Sequence, residues 1–319
     1  MKKILLIHTG GTIAMSEDQK TGTVTTTASN PLTQVETIIN QFAALDEEVF
    51  YHLPSPHITP THMLEIGKYI ESRMDDFDGI VITHGTDTLE ETAYFLDLYI
   101  ATKKPIVITG AMRSSNEIGS DGLYNLICAI RVAIADESYE KGLLVVMNDE
   151  IHTAAYATKT ATSNVATFKS PQFGPIGMVT KQDICFYHKW ISYEKYKIEN
   201  ISKQVPLLKA YAGMDKSLIN AILKMNIDGL VIEGLGQGNL PPTMVDPLKQ
   251  LLHNNIPVVL VSRSFKGVVQ PTYDYLGGGK QLHEMGIIFA KRLTGQKARI
   301  KLLMVLEASL NKDIHSYFN

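Results

Sequence analysis

The sequence predicts an α/β protein, with a larger N-terminal doubly wound domain on a mainly parallel sheet and a smaller C-terminal α/β domain. Three observations carry that expectation. Short apolar runs are continuous rather than alternating, amphipathic stretches separate them, and the length exceeds one ordinary core. The chain has 319 residues, 45% of them hydrophobic and 20% charged, which is ordinary for a globular protein and long enough for two domains.

The apolar runs in the first half are residues 4–8, 79–83 (GIVIT), 105–109 (PIVIT) and 143–147 (LLVVM). Runs of this kind suit strands covered on both faces, as in a parallel sheet. One helix is expected to open at Asn30-Pro31 and continue through VETIINQFAAL, with a capping side chain followed by proline at the first helical position. A second opens at Thr59-Pro60, and others cover 88–100 and 121–135. Residues 150–180 break the rhythm, being rich in Thr, Ala and Ser without a clear period. The rhythm resumes with a helix over 215–225, a strand over 229–233, a helix over 242–253, a strand over 257–261 and helices near 280–292 and 296–311. The expected division is therefore 1–190, a linker over 191–210, and 211–319.

Composition excludes several partners. Formal net charge is −3 and no basic run exceeds two residues, whereas nucleic acid calls for a concentrated positive footprint. No apolar run approaches the roughly 18 residues that span a bilayer, and the four apolar residues after Lys2-Lys3 are too short for a secretory signal. With only Cys128 and Cys185 present, both in apolar surroundings, the expectation is a reduced, cytoplasmic protein.

In open parallel sheets ligands bind beyond the carboxyl ends of the strands. Those ends read Thr9-Gly10-Gly11-Thr12, Thr83-His84-Gly85-Thr86-Asp87-Thr88, Thr109-Gly110-Ala111-Met112-Arg113 and Asn148-Asp149. Threonine and glycine at one such end are ordinary turn residues; at three ends, with Asp87 and Arg113 alongside, they indicate a polar site. A metal calls for clustered ligands, and neither HxxxH nor CxxC spacing occurs. A P-loop lysine is missing after Gly10-Gly11, and Gly234-Leu235-Gly236-Gln237-Gly238-Asn239 ends in asparagine where a dinucleotide fingerprint has glycine. Nucleophilic catalysis fits better. A threonine hydroxyl becomes reactive when a neighbouring base takes its proton. Thr12 and Thr86 are the candidates, with Asp87 beside the second and Lys159 as the uncommitted lysine of the 150–180 segment.

These residues also carry a resemblance. TGGTIA (9–14) and HGTDTLEETAYFL (84–96) resemble the two signature motifs of bacterial-type L-asparaginases. ITGAMRSSNEIGSDGLYNL (108–126), MNDEIHTA (147–154), TKT (158–160), ATFKSP (166–171) and GLGQGNLPP (234–242) extend it over nearly the whole chain. The start without a leader is similar to the cytoplasmic type of Gram-positive bacteria.

The resemblance implies hydrolysis of L-asparagine to L-aspartate and ammonia through a threonine-linked acyl-enzyme, without metal or organic cofactor. It makes Thr12 the primary nucleophile, and Thr86, Asp87 and Lys159 a supporting trio. Gly11, Gly85, Asp87 and Ser55 would surround the substrate, with Ser55 near its α-carboxylate. Asn239 would reach the site from a partner subunit, in a homodimer or homotetramer with shared sites. Two positions depart from the family pattern. The loop SEDQKTGTVTTT (16–27) lacks the family's tyrosine and puts Thr23 nearest its place, and Pro56 follows Ser55 where many relatives carry a polar side chain. The alternatives are a broader asparaginase/glutaminase, the amidase subunit of a tRNA-dependent amidotransferase, which normally carries an extra N-terminal domain, and a non-catalytic amino-acid-binding module.

Overall fold

A computed structural model describes residues 1–18, 21, 23–26, 41–189, 194–309 and 313–318. The chain divides into two compact units, Met1–Lys195 and Tyr196–Asn319. The division falls within the stretch expected as a linker, whose far end also contains a strand of the second unit.

The first unit opens with β1 (Lys3–His8), in which Ile4, Leu5, Leu6 and Ile7 are fully buried. Removing each such side chain from water contributes about 1.5–3 kcal/mol. Next come β2 (Met15–Glu17) and β3 (Val24–Thr26), paired antiparallel, so the stretch expected as a loop holds a hairpin. The Asp18 carboxylate accepts the Thr21 N–H at 3.1 Å inside its turn, the local bond that Asp brings to turns.

The helix expected from Asn30-Pro31 lies outside the described residues as far as residue 40. Beyond it, Ala44 and Leu45 are strand, not helix, because Ala44–Val49 forms β4 alongside β1. This is an edge strand bearing Asp46, Glu47 and Glu48, charges that discourage further strand pairing. Helix α1 (Pro60–Arg73) starts where expected: Thr59 accepts the His62 N–H and Pro60 occupies the first turn. Then β5 (Gly79–Thr83), α2 (Leu89–Tyr99), β6 (Ile106–Thr109), α3 (Gly122–Ile134) and β7 (Leu143–Met147) follow in regular alternation.

The segment without a period proves to be short strands. Asn148 and Asp149, with φ of 50° and 65°, turn β7 back into antiparallel β8 (Glu150–Thr153). A ribbon of β9 (Thr158–Lys159) and β10 (Phe168–Lys169) follows, then β11 (Gly177–Val179) and β12 (Ile184–Phe186). The main sheet runs β12-β11-β8-β7-β6-β5-β1-β4, with β4, β1, β5, β6 and β7 all parallel. From β1 the chain goes to β4 on one side, while β5 leads to β6 on the other. Ligands in such sheets bind at that divergence, here beyond the carboxyl ends of β1 and β5.

The second unit contains β13 (Leu207–Lys209), α4 (Ser217–Leu223), β14 (Leu230–Gly234), α5 (Val245–His253), β15 (Val258–Ser262), α6 (Gly279–Glu284), β16 (Ile288–Phe289) and α7 (Gly295–Glu307). Its four strands are parallel in chain order. Ile219, Leu248 and Leu251 from α4 and α5 pack in one core with Ile232 and Leu260, while Ala298, Leu302 and Leu303 of α7 pack in another with Val231 and Val259. The helix expected over 280–292 stops at Glu284. Gly286, at φ +97°, takes a conformation that side chains resist, and Ile288–Phe289 joins the sheet.

Candidate active site

The ends of β1 and β5 are tied before any chemistry is considered. Both the N–H and the hydroxyl of Thr9 donate to the Thr83 carbonyl, at 3.1 and 2.9 Å. His8 Nδ1 lies 2.8 Å from the Thr83 hydroxyl. The two glycines of the first motif are demanded twice over. Gly10 and Gly11 have φ of +100° and +85°, and a Cβ on Gly11 would lie 2.2 Å from Gly85 Cα. A Cβ on Gly85 would in turn meet Ser55 at 2.7 Å. The backbones of the first and second motifs therefore touch, and Thr12 emerges from that contact as the half-buried first residue of a 3₁₀ turn, Thr12–Ala14.

Gly11→Ala is accordingly expected to lower unfolding free energy by about 2–5 kcal/mol, from overpacking plus left-handed backbone strain. A denaturant titration checks this, and an unchanged midpoint would show that the two turns can separate without cost.

The second motif delivers Thr86 and Asp87 into the turn before α2. Thr86 is buried, and the Lys159 ammonium donates to its hydroxyl at 3.0 Å and to Asp87 Oδ1 at 2.6 Å. The lysine side chain is 16% exposed and that of Asp87 is 60% exposed. The cation is thus largely withdrawn from water while its counter-ion stays open to a ligand. Thr86, Asp87 and Lys159 form one hydrogen-bonded group, from positions more than seventy residues apart.

Sequence reasoning passed over the groups that hold this lysine. Glu90 is buried in the first turn of α2, and its Oε1 accepts the Thr158 hydroxyl at 3.0 Å and the Lys159 N–H at 3.2 Å. An acid there reads as a partner of the helix dipole, so its grip on β9 leaves no signal of its own. The other side of the ribbon is tied to β8, where the Lys169 ammonium donates to both Glu150 oxygens, at 2.9 and 3.0 Å. Behind them, fully buried His152 lies 3.2 Å from Glu150 Oε2 through Nε2 and 3.0 Å from the Ser170 hydroxyl through Nδ1.

His152, with help from Lys169 and against the cost of burial, lowers the Glu150 pKa from 4.5 to about 2. A depressed carboxylate stabilises the fold in full above its unfolded value and loses that contribution as pH falls through the folded one. Glu150→Gln should therefore lower the melting temperature at neutral pH. The difference from the parent should shrink between pH 4.5 and about 2. A difference independent of pH in thermal melts would remove Glu150 as its source.

Ser55, at the head of a short turn before α1, is 4% exposed. Its hydroxyl accepts the Asp87 N–H at 3.2 Å, and its carbonyl accepts the Thr88 hydroxyl at 2.7 Å. Thr23 is exposed, with its hydroxyl 2.7 Å from that of Thr21. Arg113 serves its own loop, donating to the Gly119 carbonyl at 2.9 Å. In the second unit, Leu235 and Asn239 exchange backbone hydrogen bonds across a tight turn, and Asn239 Oδ1 accepts the Gly279 N–H at 3.0 Å, at the start of α6. Among the described residues no group of three His, Cys, Asp or Glu could hold a metal ion, and no helix is long and apolar enough to cross a membrane.

Both parts of the chain match family models: residues 3–192 that of the asparaginase N-terminal domain, and residues 204–318 that of the glutaminase/asparaginase C-terminal domain. An L-asparaginase of Bacillus licheniformis is 34% identical, covering 99% of each chain. A probable L-asparaginase of Deinococcus radiodurans is 36% identical over 98% of this chain and 95% of its own. Among solved structures, a probable cytoplasmic L-asparaginase from Campylobacter jejuni superimposes with a TM-score of 0.91 at 32% identity, covering 100% of this chain and 99% of the other.

Proposed function

This chain belongs to the asparaginase family, and on that premise we propose that it hydrolyses L-asparagine to L-aspartate and ammonia through an ester on Thr12. The observation that carries the reading is the Lys159 ammonium set between the Thr86 hydroxyl and the Asp87 carboxylate.

Thr12 Oγ attacks the side-chain amide carbon and loses its proton, and the amide nitrogen takes up one proton and leaves as ammonia. Thr86 is placed to move that proton. While its oxygen accepts from Lys159, its own O–H is free to face the reacting atoms, and it can give its proton to the amide nitrogen as it takes the one that Thr12 loses, with Nζ serving only as the hydrogen-bond donor that holds it. Asp87 aims the lysine at Thr86 through its 2.6 Å bond to Nζ. In the second half, water adds to the ester carbon, the relay runs in reverse to carry the water's proton to Thr12 Oγ, and Thr12 leaves with its hydroxyl restored. The oxyanion formed in each half calls for fixed N–H donors. The Asp87 N–H is directed at Ser55, which leaves the Thr86 N–H, near the positive end of α2, as the first candidate.

The exposed carboxylate of Asp87 suits the substrate's α-ammonium, Ser55 lies beside it for the α-carboxylate, and Gly11 and Gly85, packed against each other, would offer the substrate main chain rather than side chain. The likeness to the Campylobacter jejuni protein supports a cytoplasmic location. We further propose a homodimer or homotetramer in which Asn239 completes the site of a neighbouring subunit. The test is ammonia release by purified protein, with asparagine and glutamine compared at equal concentration. Release from asparagine supports the reading, equal turnover of both broadens it to asparaginase/glutaminase, and no release at millimolar asparagine overturns it.

A further inference from the structure

We infer that His84, which the reaction above does not use, is a positioning residue. Through one hydrogen bond to the Gly85 carbonyl, backed by Thr92, it aims the Thr86 N–H at the carbonyl oxygen of the substrate. This deepens the hydrolytic reading and rests on it.

His84 is fully buried, its Nδ1 lies 2.8 Å from the Gly85 carbonyl oxygen and its Nε2 lies 3.0 Å from the Thr92 hydroxyl. A carbonyl oxygen only accepts, so Nδ1 carries a proton. Burial holds the ring neutral, with a pKa lowered to about 4 even though the Gly85 carbonyl favours the charged form. Nε2 is then a lone pair, and the Thr92 hydroxyl must donate to it. Thr92 sits on the second turn of α2 with no exposure. Both ring nitrogens are thus satisfied, and a single tautomer is selected by groups on opposite sides of the ring.

The consequence lies one bond further along the chain. The Gly85–Thr86 peptide is trans, so its N–H points opposite to its carbonyl. Drawing the Gly85 carbonyl onto the buried ring turns the Thr86 N–H away from the interior, towards the open ends of β1 and β5. That N–H has no acceptor among the described residues. The backbone on either side is held as well: the His84 N–H donates to the Thr109 carbonyl at 2.9 Å, and a Cβ on Gly110 would meet the His84 carbonyl at 2.5 Å. Pre-set donors aimed where charge develops accelerate the chemical step without tightening ground-state binding.

Two substitutions separate this role from packing. Asparagine places an amide N–H where Nδ1 stands and loses the reach to Thr92; glutamine is nearer to histidine in length and puts its amide where Nε2 stands. His84→Asn is expected to keep kcat for asparagine within about five-fold of the parent. His84→Gln should lose 30-fold or more, with KM and the aspartate Kd moving less than three-fold in both. Equal or better kcat in His84→Gln, or a loss appearing in KM, overturns the proposal. Should both variants melt too low to assay, Thr92→Val decides: kcat falling three- to ten-fold at constant KM supports it, and an unchanged kcat overturns it. A parent that releases no ammonia from asparagine removes the hydrolytic reading itself, an outcome distinct from a reversed order of the two variants.

Discussion

Replacing Thr12 with alanine is expected to lower kcat for asparagine by about 10³-fold or more while leaving aspartate binding within a few-fold of the parent. The alcohol oxygen is the atom proposed to form the ester, and losing the nucleophile removes a whole covalent route rather than one stabilising contact. Thr12 is half-buried at the head of a 3₁₀ turn, and the turn's shape depends on Gly10 and Gly11, so the substitution leaves the surrounding backbone intact. Ammonia release measures the rate and calorimetry with aspartate measures the site. If Thr12→Ala binds aspartate and turns over asparagine like the parent, the nucleophile lies elsewhere.

Lys159→Met is expected to cost about 10²- to 10⁴-fold in kcat, the range set by losing positioned proton transfer, here through the Thr86 hydroxyl that Lys159 holds. Methionine preserves most of the apolar stem, so β9 should stay seated on Glu90 through the Thr158 hydroxyl and the backbone N–H of residue 159. What disappears is the ammonium that donates to Thr86 and Asp87. Because Asp87 is open to solvent, water can take over its hydrogen bonds, and the melting temperature should fall only slightly. A kcat within three-fold of the parent would exclude Lys159 from the relay.

Much of the fold was legible because its central strands are buried on both faces. Ile80, Val81 and Ile82 of β5 and Leu144, Val145 and Val146 of β7 are all fully buried, and their short, continuous runs, rich in β-branched residues, are what a strand covered on both faces requires. Polar strands were not legible. Ala44–Val49 bears three acids and is a strand because β1 offers it a free edge, a property of the partner and not of its own residues. The strands of the 150–180 segment are two to four residues long, too short for any period to emerge. One signal there was readable: Asn148-Asp149, between an apolar run and EIHT, is a two-residue hairpin turn of the kind that admits positive φ.

The candidate site divides in the same way. Thr12, Thr86 and Asp87 stand at strand ends and were visible as such, whereas Lys159 was visible only as an uncommitted lysine of the 150–180 segment, with no period to place it beside Thr86. His84, Thr92 and Glu90 escaped because each reads as an ordinary turn or helix residue until the chain is folded. Their significance lies in which backbone atoms they hold, and a sequence carries no direct record of that.

The contact between Gly11 and Gly85 also bears on how the protein assembles. Neither turn can take its final shape alone, because each fills the space that a side chain on the other would need, and the flanking bond from Thr9 to Thr83 joins positions 74 residues apart. Closing so long a loop is slow compared with forming helices. On dilution from denaturant, helical signal should therefore return first, and enzymatic competence should follow in a separate, later phase as the two motifs meet.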